Sequence, residues 1–186
     1  YRLIFGPLMI VLLLGLVYFD VQLGAIAVTE QLVLPPGLLL FGISVVVMVL
    51  ASRELCVIMQ RKSIVVSPGL LALGATLACA SMYLHTTLAA HHKVGTVLPT
   101  VLIVVFVLAL VRQAMGKQVE GAIGGAAGTL LGTIYLGLLP GFYFLVLTRG
   151  FNAWIIVFAI LITKCGDIGA YFTGHAIGKH KLIPWL

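Results

Sequence analysis

A chain of 186 residues that is 62% hydrophobic and 9% charged, with a mean hydropathy of +1.22, carries more apolar surface than a soluble domain of its size can bury. This excludes a soluble globular protein and predicts an all-α, polytopic transmembrane helix bundle with about six membrane spans. The net charge of +6 is no nucleic-acid signature, because the basic residues are scattered between apolar runs and read as topology signals and as an attraction to membrane lipids.

The first predicted span is Leu3 to Phe19. No small-x-small cleavage site follows it, so it reads as a retained helix and not as a signal peptide. The chain starts at Tyr1 and not at Met, so residues upstream of it are expected. Asp20 to Pro36 follows as a connection with Asp20 and Glu30 but no Lys or Arg. Pro35-Pro36 then breaks the chain before a second span, Gly37 to Ser52. Arg53, Glu54, Arg61 and Lys62 form a basic loop or interfacial helix. Pro68 opens the third span, to Leu84, in the first-turn position proline favours.

His85 to Gly95 is polar, and its His85, His91 and His92 have no carboxylate or cysteine beside them, so a solvated loop is a better reading than a metal site. Val97 to Val111 is the fourth span, and Arg112 to Glu120 is polar again. Gly121 to Leu147 is long enough to cross with tilt, or to break at Pro140-Gly141. Gly124, Gly128 and Gly132 recur there at four-residue spacing, with Gly121 and Gly125 beside them. This is a helix-packing face; a phosphate loop would need a Lys-Ser/Thr pair after it and a strand before it. Arg149-Gly150 makes a turn, and the sixth span starts at Asn152 and ends near Lys179 to Lys181. Residues 1–120 thus hold spans one to four with their loops, and residues 121–186 hold spans five and six.

With the amino terminus in the cytoplasm, Arg2, Arg53, Arg61, Lys62, Arg112, Lys117, Lys164, Lys179 and Lys181 fall inside, and only Lys93 and Arg149 fall outside. That is a strong positive-inside bias. Cys56, Cys79 and Cys165 are an odd number without metal-ligand spacing, and no HExxH, CxxC or Ser/His/Asp arrangement occurs.

The richest chemistry lies in Lys164 to Pro184, KCGDIGAYFTGHAIGKHKLIP. On a helix, Gly166, Ala170, Gly174 and Gly178 form a small-residue row, and Lys164, Asp167 and Tyr171 share a face. An acid at membrane depth is a functional candidate; the plain alternative is a Lys164–Asp167 pair that only neutralises itself at the interface.

Asp167-Ile-Gly-Ala-Tyr-Phe-Thr-Gly174, followed by Gly178-Lys-His-Lys-Leu-Ile-Pro184, resembles the phosphatidate cytidylyltransferase (CDP-diacylglycerol synthase) family. The family pattern at this point is D-x-x-A-Y-x-x-G-[RK]-x-x-G-K-x-K-L-x-P. It is matched at Asp167, Ala170, Tyr171, Gly174, Gly178, Lys179, Lys181, Leu182 and Pro184. A looser match reaches back to Gly121 and includes the Tyr135 segment. The departure is His175, where the family carries Arg or Lys, and histidine is only partly charged near neutrality.

The resemblance implies transfer of CMP from CTP to phosphatidate, with Mg²⁺ as cofactor, giving CDP-diacylglycerol and pyrophosphate in phospholipid biosynthesis. It implies Asp167 as a metal ligand and catalytic residue, Lys179 as a catalytic phosphate contact, and Tyr171, Gly174, His175, Gly178, Lys179 and Lys181 as substrate-binding positions. The family continues with a Ser-Pro-Lys-Lys-Thr stretch and a later Asp-rich signature, so the 186 residues are expected to be inactive alone. A bacterial inner membrane, with the amino terminus and the motif cytoplasmic, and a homodimer are further expectations. Two other readings stay open: a CTP-dependent lipid kinase of the dolichol or polyprenol kind, and a small ion transporter with Asp167 as relay.

Overall fold

The computed structural model describes residues 2–29, 36–85, 94–116 and 121–178. Among these residues there is no strand, and the helices fall into six. They are α1 (Arg2–Thr29), α2 (Leu38–Gln60), α3 (Pro68–Tyr83), α4 (Val94–Met115), α5 (Ala122–Thr148) and α6 (Trp154–Ile177). α2, α4 from Thr96, α5 and α6 are each long and apolar enough to cross a bilayer. Large side chains such as Leu12 of α1, Val46 of α2, Ile103 of α4 and Leu131 of α5 stand exposed, as expected where the surroundings are lipid. The chain divides into two compact units, Tyr1–Phe151 and Asn152–Leu186.

In the first unit α3 is the central helix and packs on α2, α4 and α5. Its Leu71, Gly74, Ala75, Ala78 and Cys79 are fully enclosed, mostly small residues that let three neighbours approach one axis. At one end, Leu71 clusters with Cys56 and Val66, and Leu55, Met59 and Ile64 close over them. At the other end, Phe41 of α2 stacks on Tyr83 of α3 with centroids 4.6 Å apart, and Phe144 of α5 meets both rings edge-on. Buried hydroxyls return to their own helices: Ser52 to the Met48 carbonyl, Thr129 to Gly125 and Thr133 to Thr129.

Helix α5 does not break at Pro140. Proline lacks the N–H that would bond the Leu136 carbonyl and crowds that turn. The helix instead widens into a π-helical segment, Ile134–Leu138, just before it. The extra residue resets the packing face. Gly128 and Gly132 are four apart, Gly132 and Gly137 five apart across the π-turn, and Gly137 and Gly141 four apart again. All four lie close against other parts of the first unit: Gly128 on Ile64 and Val66, Gly132 on Leu71, Gly137 on the Ala75 backbone and Gly141 on Met82. Gly124 faces open space, so the row expected from Gly124 is correct only at its second and third members.

Two span ends move. α2 continues past Ser52 through Arg53 and Glu54 to Gln60, so of the loop and helix readings of this basic stretch the helical one holds for these two exposed charges. The reversal is confined to Arg61–Ser63, where Ser63 takes a φ of 60°. α1 likewise runs past Phe19 to Thr29, because Val21 to Val28 stays free of charge and of proline. Asp20 therefore lies inside a helix, 7% exposed. Its Oδ1 accepts a hydrogen bond from the Leu39 N–H at 2.9 Å, where α2 begins after a left-handed Gly37. A carboxylate on one helix thus caps the first turn of the next, satisfying an N–H that has no partner within α2. His91, His92, Lys117 and Glu120 lie outside the described residues.

Candidate functional site

α6, in the second unit, carries the motif. It begins at Trp154, where the Asn152 side chain accepts a hydrogen bond from the Trp154 N–H at 3.1 Å. It ends where Gly178 leaves helical geometry, with its N–H on the Gly174 carbonyl. The helix rises about 1.5 Å per residue, so Asp167 lies about 20 Å along it, within or near the edge of a hydrocarbon core about 30 Å thick. An acid at that depth is expensive against lipid and needs a cation or water beside it.

The predicted face of Lys164, Asp167 and Tyr171 lies on the helix at i, i+3 and i+7. Gly174, at i+7 from Asp167, extends it into an Asp167–Tyr171–Gly174 stripe, with His175 beside it. Lys164 Nζ lies 3.4 Å from Asp167 Oδ2, the only ion pair among the described residues. Both side chains are about two-thirds exposed (69% and 66%), so the pair holds Asp167 only loosely. The ring of His175 lies parallel to that of Tyr171 at 6.2 Å, and Phe172 meets Tyr171 edge-on at 5.7 Å. The face thus carries an exposed carboxylate with a lysine, then a stacked phenol–imidazole pair one turn further on. Gly166, Gly169 and Gly174 have open space where a side chain would be, and no side chain of α6 is buried.

Lys179 and Lys181 lie outside the described residues, so Asp167, Tyr171, Gly174, His175 and Gly178 are the predicted site positions that can be placed. No three His, Cys, Asp or Glu side chains come together among the described residues. Asp167 by itself suits Mg²⁺ in one respect: that ion is commonly held by one or two carboxylates together with substrate phosphates, not by an all-protein cage.

Sequence reasoning missed two features of the first unit. One is the buried Asp20 cap; the uninterrupted apolar run after Asp20 was the available signal. The other is a cleft of about 360 Å³ beside Arg112, between Gln60, Ser67 and Gln113. It is assembled from four helices far apart in sequence and leaves no local pattern.

The model of the cytidylyltransferase family matches residues 4–186. Among curated proteins, the phosphatidate cytidylyltransferases of Staphylococcus saprophyticus, Staphylococcus aureus and Staphylococcus epidermidis are each 42% identical over 59 residues, 32% of this chain and 22% of theirs. The chain thus matches under a quarter of the length of these relatives. No solved structure matches it. With the family model covering nearly every residue of this helical membrane chain, the chain belongs to the cytidylyltransferase family.

Proposed function

We propose that this chain carries the membrane helices and the first substrate motif of a phosphatidate cytidylyltransferase, which converts CTP and phosphatidate to CDP-diacylglycerol and pyrophosphate. The observation that carries the reading is the exposed Asp167–Tyr171–Gly174 stripe of α6, set within a chain that the family model matches from residue 4 to 186. In the reaction, a phosphate oxygen of phosphatidate attacks the α-phosphorus of CTP. The new P–O bond forms as the bond to the oxygen bridging the α- and β-phosphorus breaks, and pyrophosphate leaves with that oxygen. Both substrates are anionic, so the barrier is dominated by charge repulsion and positioning.

The residues take roles that follow from this. Asp167, only loosely paired with Lys164, would be the residue of this chain to hold Mg²⁺. When bound, Mg²⁺ supplies neutralisation of phosphate charge. Lys179 and Lys181 bind phosphate oxygens as point charges. Tyr171 and His175, held parallel, form a flat wall that orients a substrate group. Gly174 leaves room for phosphate to approach the helix, and Gly178 ends the helix against the Gly174 carbonyl. The site faces the cytoplasm across a bacterial inner membrane, in agreement with the charge bias of the loops, and the assembly is a homodimer. Asp167 is the only acid after Glu120, so the 186 residues alone are inactive on this reading.

The test is Asp167→Asn in the complete open reading frame that contains this sequence, with pyrophosphate release followed from CTP, phosphatidate and Mg²⁺. Turnover falls by orders of magnitude while the protein stays monodisperse in detergent. Survival of both turnover and Mg²⁺ dependence would reduce Asp167 to the partner of Lys164. Phosphorylation of a polyprenol in place of turnover with phosphatidate would identify a lipid kinase instead.

A further inference from the structure

The first unit holds a second feature that reads as a ligand site, formed by α3 and α4 with the ends of α2 and α5. Arg112 stands in the last turn of α4, exposed, and no carboxylate among the described residues pairs with it. It borders the cleft of about 360 Å³, where Gln60 and Ser67 also open. The Ser67 hydroxyl makes no capping bond to α3 and is free to serve a ligand. One wall is fixed: Gln113 Nε2 donates to the Val65 carbonyl at 2.6 Å, and this bond crosses directly over Gly125, where any side chain would collide with it.

The cleft does not end at Arg112. A groove of about 460 Å³ shares Ser67, Leu70 and Arg112 with it and continues over Leu73, Leu108 and Met115. A third hollow of about 190 Å³ shares Leu70, Leu73 and Leu108 with that groove and runs on past Leu77, Val104 and Thr100. The seam between α3 and α4 is therefore cationic and polar at one end and apolar along the rest, where the Thr100 hydroxyl turns back to the Thr96 carbonyl. From Arg112 to Thr100 α4 rises about 18 Å, slightly more than one leaflet of a hydrocarbon core about 30 Å thick.

We propose that this seam binds one diacyl phospholipid with an anionic headgroup, the headgroup phosphate on Arg112, Ser67 and Gln60 and an acyl chain along Leu73, Leu108 and Val104. Charge complementarity at one end and apolar continuity at the other select this occupant. A soluble anion leaves the groove empty, and a zwitterionic lipid brings its own cation to Arg112. Among the described residues that line the seam there is no carboxylate to hold a metal or take a proton, so the lipid is resident and not reacting. This goes beyond the cytidylyltransferase reading and rests on residues of the first unit alone.

The experiment is native mass spectrometry of the whole chain released from detergent, with phosphatidylglycerol or phosphatidylcholine of matched acyl chains. Phosphatidylglycerol is expected to be retained about tenfold over phosphatidylcholine, the worth of one charge-assisted contact. Arg112→Gln abolishes that preference and Arg112→Lys restores part of it. Arg61→Gln, which removes another exposed cation, leaves it intact. Leu73→Trp fills the groove at an exposed position and lowers retention without needing Arg112 to change, so a poorly folding Arg112 variant does not shield the proposal. Equal retention of both lipids, no effect of Arg112→Gln in folded protein, complete competition by glycerol phosphate, or retention of phosphatidate but not phosphatidylglycerol would each overturn it.

Discussion

Gly137 is the point at which α5 comes closest to the backbone of α3, and adding one methyl group there tests the packing directly. A Cβ at Gly137 would sit 2.6 Å from the Ala75 Cα and closer still to its carbonyl oxygen. Ordinary contact begins near 3.4 Å, and these are backbone atoms of a helix enclosed by α2, α4 and α5, so nothing nearby can rotate away. Overpacking of this kind costs about 1–3 kcal/mol, and backbone targets belong at the upper end. Against that, alanine gains about 1 kcal/mol over glycine in a helix interior. The net for Gly137→Ala is a loss of about 2 kcal/mol. Gly124→Ala has the same propensity gain with open space around the new methyl, so it should be neutral or stabilise by up to about 1 kcal/mol. Denaturation of the micelle-solubilised chain by titrated SDS, followed by circular dichroism, reads both changes. If Gly137→Ala proves as stable as Gly124→Ala, the close approach of α5 to α3 and the π-turn that creates it are both wrong.

The remaining predictions are more local. Asp20→Ala leaves the Leu39 N–H without its partner in an apolar setting and should cost about 1–3 kcal/mol, whereas Asp20→Asn keeps an acceptor and should cost less than half of that; equal losses in the same SDS titration would deny the cap. His175→Arg restores the permanent charge the family carries, so turnover of the complete reading frame should hold or rise. A folded but inactive Arg variant would show that the flat Tyr171–His175 pair, and not charge, is what this position supplies. Single cysteines introduced between His85 and Gly95 should label from outside intact cells and one at Lys117 only after permeabilisation; the reverse pattern would move Asp167 away from cytoplasmic CTP.

How far the sequence reveals this protein depends on how local the physics is. The apolar runs are local, so the six helices and their order can be read directly from composition. The Asp167 face is local too, since periodicity alone puts Lys164, Asp167 and Tyr171 on one side of a helix. What periodicity cannot give is which glycine row is used, because a π-turn changes the period once, and that turn goes with the close approach of Gly137 to Ala75 of α3 as well as with Pro140. The extent of α1 failed for a related reason. A charged residue in an apolar run normally marks the end of a span, and Asp20 escapes the rule because α2 begins beside it and offers an N–H. The Arg112 seam is the least local feature. Gln60, Ser67, Arg112 and Gln113 belong to separate polar punctuation marks in the sequence, each of which reads as a loop end. They become one cleft only because α2, α3, α4 and α5 end at the same level. In a helical membrane protein the chemistry gathers where helix ends meet, and that coincidence is a property of packing and not of any one segment.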